Sequence, residues 1–123
     1  MSVQIGIIGP EQKNIKNKKI ILMAKEIGRC IASKNAVLIT GGCSGVSQAA
    51  CEGAAKAGGI TVGTPGRNRR SSKGNVTVEI CTPIDVGDYL FSVILSSDSI
   101  IVLQLSALHF LMQCTVLFLL PSK

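Results

Sequence analysis

VLITGGCSGVSQAACEGAAKAGGITVG, residues 37–63, reads as strand, glycine turn, helix, glycine turn and strand in succession. The apolar run AVLIT, 36–40, has the length and composition of a buried strand. Residues 46–57 follow as a helix with Val46, Ala49, Ala50, Gly53, Ala54 and Ala57 on one face. Nearly all of these are small, so the helix can lie close on a sheet. Gly58-Gly59 ends it, because glycine accepts the left-handed cap conformation. ITVGT, 60–64, is then a second buried strand. A unit of this length makes its two strands parallel, joined by a right-handed crossover.

The flanks extend the same pattern. VQIGII, 3–8, reads as a buried strand ending in the turn Gly9-Pro10. Residues 14–33 read as a helix with an apolar stripe of Ile20, Met23, Ala24, Ile27 and Ile31, and with Lys16, Lys18, Lys25 and Arg29 largely off it. PGRNRRSSKG, 65–74, is a polar loop, and NVTVEIC, 75–81, alternates as a strand. Asp85 or Asp88 can cap a helix running to about Ser96, and SIIVL, 99–103, is a fifth strand. The expectation is an α/β, doubly wound, mostly parallel sheet of about five strands.

The chain has 123 residues, enough for one domain with its own core, and 46% of them are hydrophobic, which excludes wholesale disorder. The cysteines at 30, 43, 51, 81 and 114 form neither CxxC nor a zinc spacing, so no metal site is expected. Lys13 to Lys19 break any early apolar run, which argues against a signal peptide. Reduced thiols in a cytoplasmic protein are the expectation. The net charge is +6, concentrated in Lys13, Lys16, Lys18, Lys19, Lys25, Arg29 and Lys34, and again in Arg67, Arg69, Arg70 and Lys73. Tyr89, Phe91, Phe110 and Phe118 lie far along the chain from both clusters. The interleaving of cations and aromatics typical of a nucleic-acid groove is missing, so a solvated helix face is expected and nucleic acid is not.

A glycine-rich turn before a helix offers free backbone N–H groups and the positive end of the helix to an anion. Thr40, Gly41, Gly42, Cys43, Ser44 and Gly45 are the candidate ligand-binding residues, with Gly9-Pro10 gathered at the same strand-end edge. Thr64-Pro65 falls at that edge too. The motif is neither a P-loop nor a clean dinucleotide fingerprint, and many βα turns of this kind bind nothing. The pattern by itself leaves both readings open.

The stretch 37–63 resembles the GGGxxGLMGxxAxGAxxxGGxVxG segment of the Lonely Guy/lysine-decarboxylase-like proteins, a Rossmann-like superfamily that includes phosphoribohydrolases and molybdenum-cofactor carriers. IGIIGP and SSDSIIVL fit as well, so the resemblance covers residues 3–103. It implies a Rossmann-like domain over 1–104, a small-molecule nucleotide in the pocket formed by Gly41 to Gly45, and a homodimer if the sheet is complete. No cofactor is implied beyond a nucleoside monophosphate ligand. The enzymes of the family cleave the bond between a base and ribose 5′-monophosphate. Their PGGxGTxxE motif is due after 99–103, where Gln104-Leu105-Ser106 stands and no acidic residue follows. Their catalytic Arg is due in the preceding helix, yet 87–96 hold no Arg or Lys. Glycosidic cleavage builds oxocarbenium character that a carboxylate stabilises. The expectation is therefore ligand binding without turnover, no catalytic residue being assigned. Phosphoribohydrolase activity is the alternative, and a basic or membrane-tail interaction protein the second.

Asp98 is expected to bond backbone N–H groups at a turn. Glu79 is expected to face solvent, Arg67, Arg69 and Arg70 to form a solvated loop, and His109 to be filler. Cys43 is expected to be a small loop residue. The apolar segment 105–123 matches neither helical nor strand periodicity. It reads as an aberrant end, such as a frameshifted translation, ahead of a buried element or a membrane anchor over 99–121. A frameshifted end would leave a Gly-rich PGG-like segment readable in another frame from codon 104.

Overall fold

The computed structural model describes residues 2–10, 12, 15–41, 45–66, 75–81 and 97–103. Among these residues five strands and two helices follow in the order β1 (Gln4–Ile8), α1 (Lys19–Ser33), β2 (Val37–Thr40), α2 (Val46–Lys56), β3 (Ile60–Gly66), β4 (Val78–Cys81) and β5 (Ser99–Val102). The helix expected before Ser96, the arginines of the polar loop and everything after Leu103 lie outside the described residues.

All pairings are parallel and the strand order is β4-β3-β2-β1-β5. The chain steps outward from β1 to β4 and then returns to place β5 on the other side of β1. That reversal makes the β1–β5 junction the switch point of a doubly wound sheet. Successive right-handed crossovers in one direction put α1 and α2 on the same face.

The core lies between that helix pair and the sheet. Ile7, Leu38 and Val46 are almost wholly buried among Ala24, Ala50, Cys51 and Ala54. Each large apolar side chain of this kind contributes roughly 1.5–3 kcal/mol. Ile8 and Ile39 alternate to the opposite face and are buried as well, so the central strands have no solvent face. The helices approach at backbone distance. A Cβ on Gly28 would stand 2.0 Å from the Ala50 carbonyl oxygen, and one on Gly53 2.0 Å from that of Lys25. This crossing rotates the buried face of α1 toward Gly28 and Ala32. Met23, placed on the stripe by its spacing, is 52% exposed as a result. On α2, Cys51 joins the buried face, while Ala57 is the C-cap and exposed.

Helix ends explain the boundaries. The Asn17 side chain accepts from the Lys19 N–H at 2.9 Å, capping α1 there and starting it later than residue 14. Both helices close in the same way. Ala36 N–H bonds the Ile31 carbonyl and Asn35 N–H that of Ala32, with Asn35 at φ 57. Gly59 N–H bonds the Ala54 carbonyl and Gly58 N–H that of Ala55, with Gly58 at φ 74. Each is the paired 6→1, 5→2 arrangement around a left-handed residue.

β4 begins at Val78 rather than 75 because the chain before it is tied to β3 by threonines. Thr77 N–H donates to the Thr61 carbonyl at 2.9 Å, Thr61 N–H to Thr77 Oγ1 at 3.0 Å, and Thr61 Oγ1 to the Asn75 carbonyl at 2.9 Å. β3 continues to Gly66 with a bulge. Gly63 pairs Glu79 but Gly66 pairs Cys81, so β3 carries one extra residue around Thr64-Pro65. Pro65 has no N–H to give to a ladder, which suits it to an interrupted pairing.

Candidate functional site

The carboxyl ends of β1, β2 and β3 come level at one edge, since Thr40 pairs Gly63 and β1 pairs β2 in step. Two connections leave this edge side by side. Gly9 lies directly against Val46, whose side-chain atoms a Cβ at position 9 would meet at 2.7–2.8 Å. Val46 N–H donates to the Pro10 carbonyl at 3.3 Å. The turn after β1 is thereby seated on the amino end of α2.

The stems of the glycine turn are held firmly. Thr40 is wholly buried; its hydroxyl lies 3.5 Å from Cys51 Sγ, and its carbonyl accepts from Thr64 Oγ1 at 3.2 Å. Gly41 follows, also buried. At the other stem Gly45 has φ 64 and ψ −125, a conformation any side chain would strain. Its carbonyl accepts from Ala49 N–H at 3.0 Å, opening α2. Among the described residues no side chain caps α2, and its first turn holds no acid. The positive end of the helix therefore faces this edge with no acid in its own first turn.

Of the predicted ligand-binding residues, the structure brings Gly9, Pro10, Thr40, Gly41 and Gly45 together. Gly42, Cys43 and Ser44 lie outside the described residues, as do Arg67, Arg69, Arg70 and His109. The roles of Val46, Cys51 and Thr64 are not evident from spacing. Thr64 had one usable signal: LIT-Gly and VGT-Pro on neighbouring strands each place a threonine just before a turn-type residue. Burial pushes the Cys51 thiol up from its ordinary value; the Thr40 hydroxyl partly opposes this, and the Glu52 charge adds to it.

Other titratable groups sit elsewhere. Asp98 Oδ2 accepts from Gln4 N–H at 2.8 Å while Asp98 N–H donates to the Gln4 carbonyl at 2.7 Å. The backbone N–H bond expected of Asp98 is thus made to β1 rather than within a local turn, and it pins β5 to β1 at the opposite edge of the sheet. Glu79 on β4 accepts from Cys81 Sγ at 3.3 Å. Arg29 grips Glu26 through both carboxylate oxygens on the exposed side of α1, lowering the pKa of Glu26 by hydrogen bonding and charge. Lys25 reaches Glu52 across the helix pair at 3.2 Å. Among the described residues no group of three or more His, Cys, Asp or Glu could hold a metal ion, and no helix is long and apolar enough to cross a membrane.

A model described as the SLOG cluster4 family matches residues 2–107. An uncharacterized protein of Archaeoglobus fulgidus is 34% identical over 100 residues, which are 80% of this chain and 63% of that protein. The chain thus spans less than two thirds of that relative. Among solved structures, the molybdenum cofactor binding protein of Rippkaea orientalis has a TM-score of 0.85 at 28% identity, covering 96% of this chain and 72% of its own. The molybdenum cofactor carrier protein of Chlamydomonas reinhardtii has a TM-score of 0.84 at 28% identity over the same shares. The Lonely Guy-like resemblance of residues 37–63 and the α/β Rossmann-like fold agree with these matches.

Proposed function

The chain belongs to the SLOG cluster4 family, and from that premise we propose that it binds a nucleotide-type small molecule at the carboxyl edge of its sheet, without turning it over. The observation that carries this reading is the seating of Gly9-Pro10 on the amino end of α2. That contact sets two strand-end backbones beside the amino terminus of α2, an arrangement suited to a phosphate. The ligand class is a nucleoside 5′-monophosphate, with its phosphate at the Gly41–Gly45 turn and its remainder toward the β1–β5 junction. The reading of binding without cleavage rests on residues 87–96 and 104–106, which lack the Arg and the Glu of the related hydrolases.

Thermal unfolding with AMP and GMP tests it. Ligand at a hundred times its Kd stabilises a single-site protein by about 2.7 kcal/mol, a rise of several degrees in a domain of this size. No shift at millimolar nucleotide refutes the reading, and release of free base from AMP replaces it with the hydrolase. A homodimer in the cytoplasm is the assembly we propose; light scattering that returns a monomer mass argues against it.

Carriage of the molybdenum cofactor is a second reading, favoured by the 28% identity to two such proteins. Among the described residues this edge holds backbone groups and threonine hydroxyls, which suit an anionic group of that cofactor rather than its metal. Molybdenum that co-elutes with protein loaded with the cofactor supports this reading, and protein that elutes metal-free after loading removes it.

A further inference from the structure

We propose that the outer face of the α1–α2 pair docks on an anionic lipid surface, with Leu22 and Met23 entering the headgroup boundary. These neighbours on α1 are 66% and 52% exposed, side by side on the face turned away from the sheet. Cations surround them. Lys18 and Lys19 lie one helical turn before Leu22 and Met23, and Lys34 follows about three turns beyond Met23. On the α2 side, Leu22 shares a groove of about 360 Å³ with Lys25, Arg29 and Lys56. The acids beside them are neutralised within the face. Arg29 holds Glu26 through both carboxylate oxygens, and Lys25 holds Glu52 at 3.2 Å. Lys18, Lys19, Lys34 and Lys56 are exposed and hold no ion pair among the described residues.

Local stability does not account for this placement. α1 has no acid in its first turn and opens with Lys18-Lys19 at the end that the helix itself makes positive. A local rule broken without a structural return marks function. The charges also select the partner. A second copy would set the same unmatched lysines against each other, and like charges repel. Duplex nucleic acid meets the charge but leaves Leu22 and Met23 in water, and neither helix offers an aromatic side chain to a base. An anionic bilayer meets both features. Its surface potential draws lysines that come within a Debye length, and its headgroup–acyl boundary takes the apolar pair. The inner face of α1 stays packed on the core, so the domain lies on the surface as a folded body.

This inference is independent of the glycine-turn reading, which concerns the carboxyl edge of the sheet.

The test sediments the full chain with phosphatidylcholine vesicles, plain or carrying about 30% phosphatidylglycerol, in about 0.1 M salt. Wild type should pellet with the anionic vesicles only, and about 1 M salt, where the Debye length is about 3 Å, should release it. Lys18→Gln with Lys19→Gln should bind at least about tenfold more weakly, because each lysine at such a surface is worth about fivefold. Leu22→Ser with Met23→Ser should also lose about tenfold or more, with the thermal midpoint unchanged. Glu26→Gln, which frees Arg29, should bind about fivefold more tightly, and to anionic vesicles only. Should either double variant fail to fold, Glu26→Gln decides, and no gain in it overturns the proposal. No pelleting with either vesicle, equal pelleting with both, or binding indifferent to all three variants overturns it as well. Retention on duplex DNA that is unchanged in L22S/M23S assigns the lysines to nucleic acid and overturns it too. Release by inorganic phosphate, at an ionic strength where chloride releases nothing, reduces the face to a site for a free anion and is equally fatal.

Discussion

Gly28→Ala is the sharpest test of how the helix layer is built. Helix propensity alone makes this substitution favourable by about 1 kcal/mol, because glycine is the poorer helix former. The packing says the reverse. A Cβ at position 28 would stand 2.0 Å from the Ala50 carbonyl oxygen, 2.9 Å from its carbon and 3.1 Å from its Cα. Ordinary contact begins at 3.4 Å, so α1 and α2 must separate by up to about 1.4 Å, and no rotamer change can relieve a backbone clash. Separation would loosen Ala24, Ile31, Ala50 and Ala54, all packed in the same cluster. Overpacking of this kind costs typically 1–3 kcal/mol and occasionally more. A backbone contact belongs at the upper end, leaving a net loss of about 2 kcal/mol. With a urea m-value of about 1.5 kcal/mol/M, the midpoint falls by roughly 1.3 M. Circular dichroism during urea titration measures it. Ala50→Gly should not rescue the variant, because the obstructing atoms are backbone. A Gly28→Ala protein as stable as wild type, or more so, would show that the helices do not cross at this distance.

Three further outcomes follow from the packing. Asn35→Gly should be neutral or slightly stabilising, since φ 57 favours glycine, while Gly58→Ala at φ 74 should cost about 1–2 kcal/mol although nothing lies within 4 Å of its Cβ; thermal midpoints decide both. Cys51 is raised above its ordinary thiol value of 9.0, so the unfolded chain ionises first. Its contribution to stability is complete below about pH 9 and is lost as pH rises above it; urea midpoints should fall more steeply from pH 8 to 10 in wild type than in Cys51→Ala. Thr61→Val should lower stability by about 1–3 kcal/mol, read as a urea midpoint shift, because it strands the Asn75 carbonyl in the junction of β3 and β4.

The strand–helix–strand unit of residues 37–63 is legible because its signals are local: an apolar run, small residues at helical spacing, and glycines at both turns. Gly58 and Gly45 are readable as glycines for the same reason, each standing where the backbone takes a positive φ. Less is legible wherever a distant partner decides. Met23 has the spacing of a core residue, but the close approach at Gly28 and Gly53 turns α1 about its axis and leaves it exposed. In sequence Gly28 looks like a weak point of the helix, not its contact. The late start of α1 depends on one Asn17 side chain, and that of β4 on threonines sixteen residues apart in sequence. At the site, Gly9 and Gly45 carry visible turn signals. The contact of Gly9 with Val46 and the bond from Thr64 to Thr40 join residues that no periodicity links.

The reciprocal bonds between Gln4 and Asp98 join residues 94 apart in sequence. β1 is an inner strand, yet one of its edges is matched only by β5, which pairs Ile5 with Ser99. At a synthesis rate of about 5–20 residues per second, that edge waits roughly 5–20 seconds on the ribosome for its neighbour to be made. During this interval β2 and both helices are already available, so β1 can be half docked with a row of unpaired backbone N–H and C=O groups still open. A nascent-chain pull-down should find this protein most dependent on chaperones before residue 102 emerges. Its hazard is therefore one of timing, borne while the chain is being made.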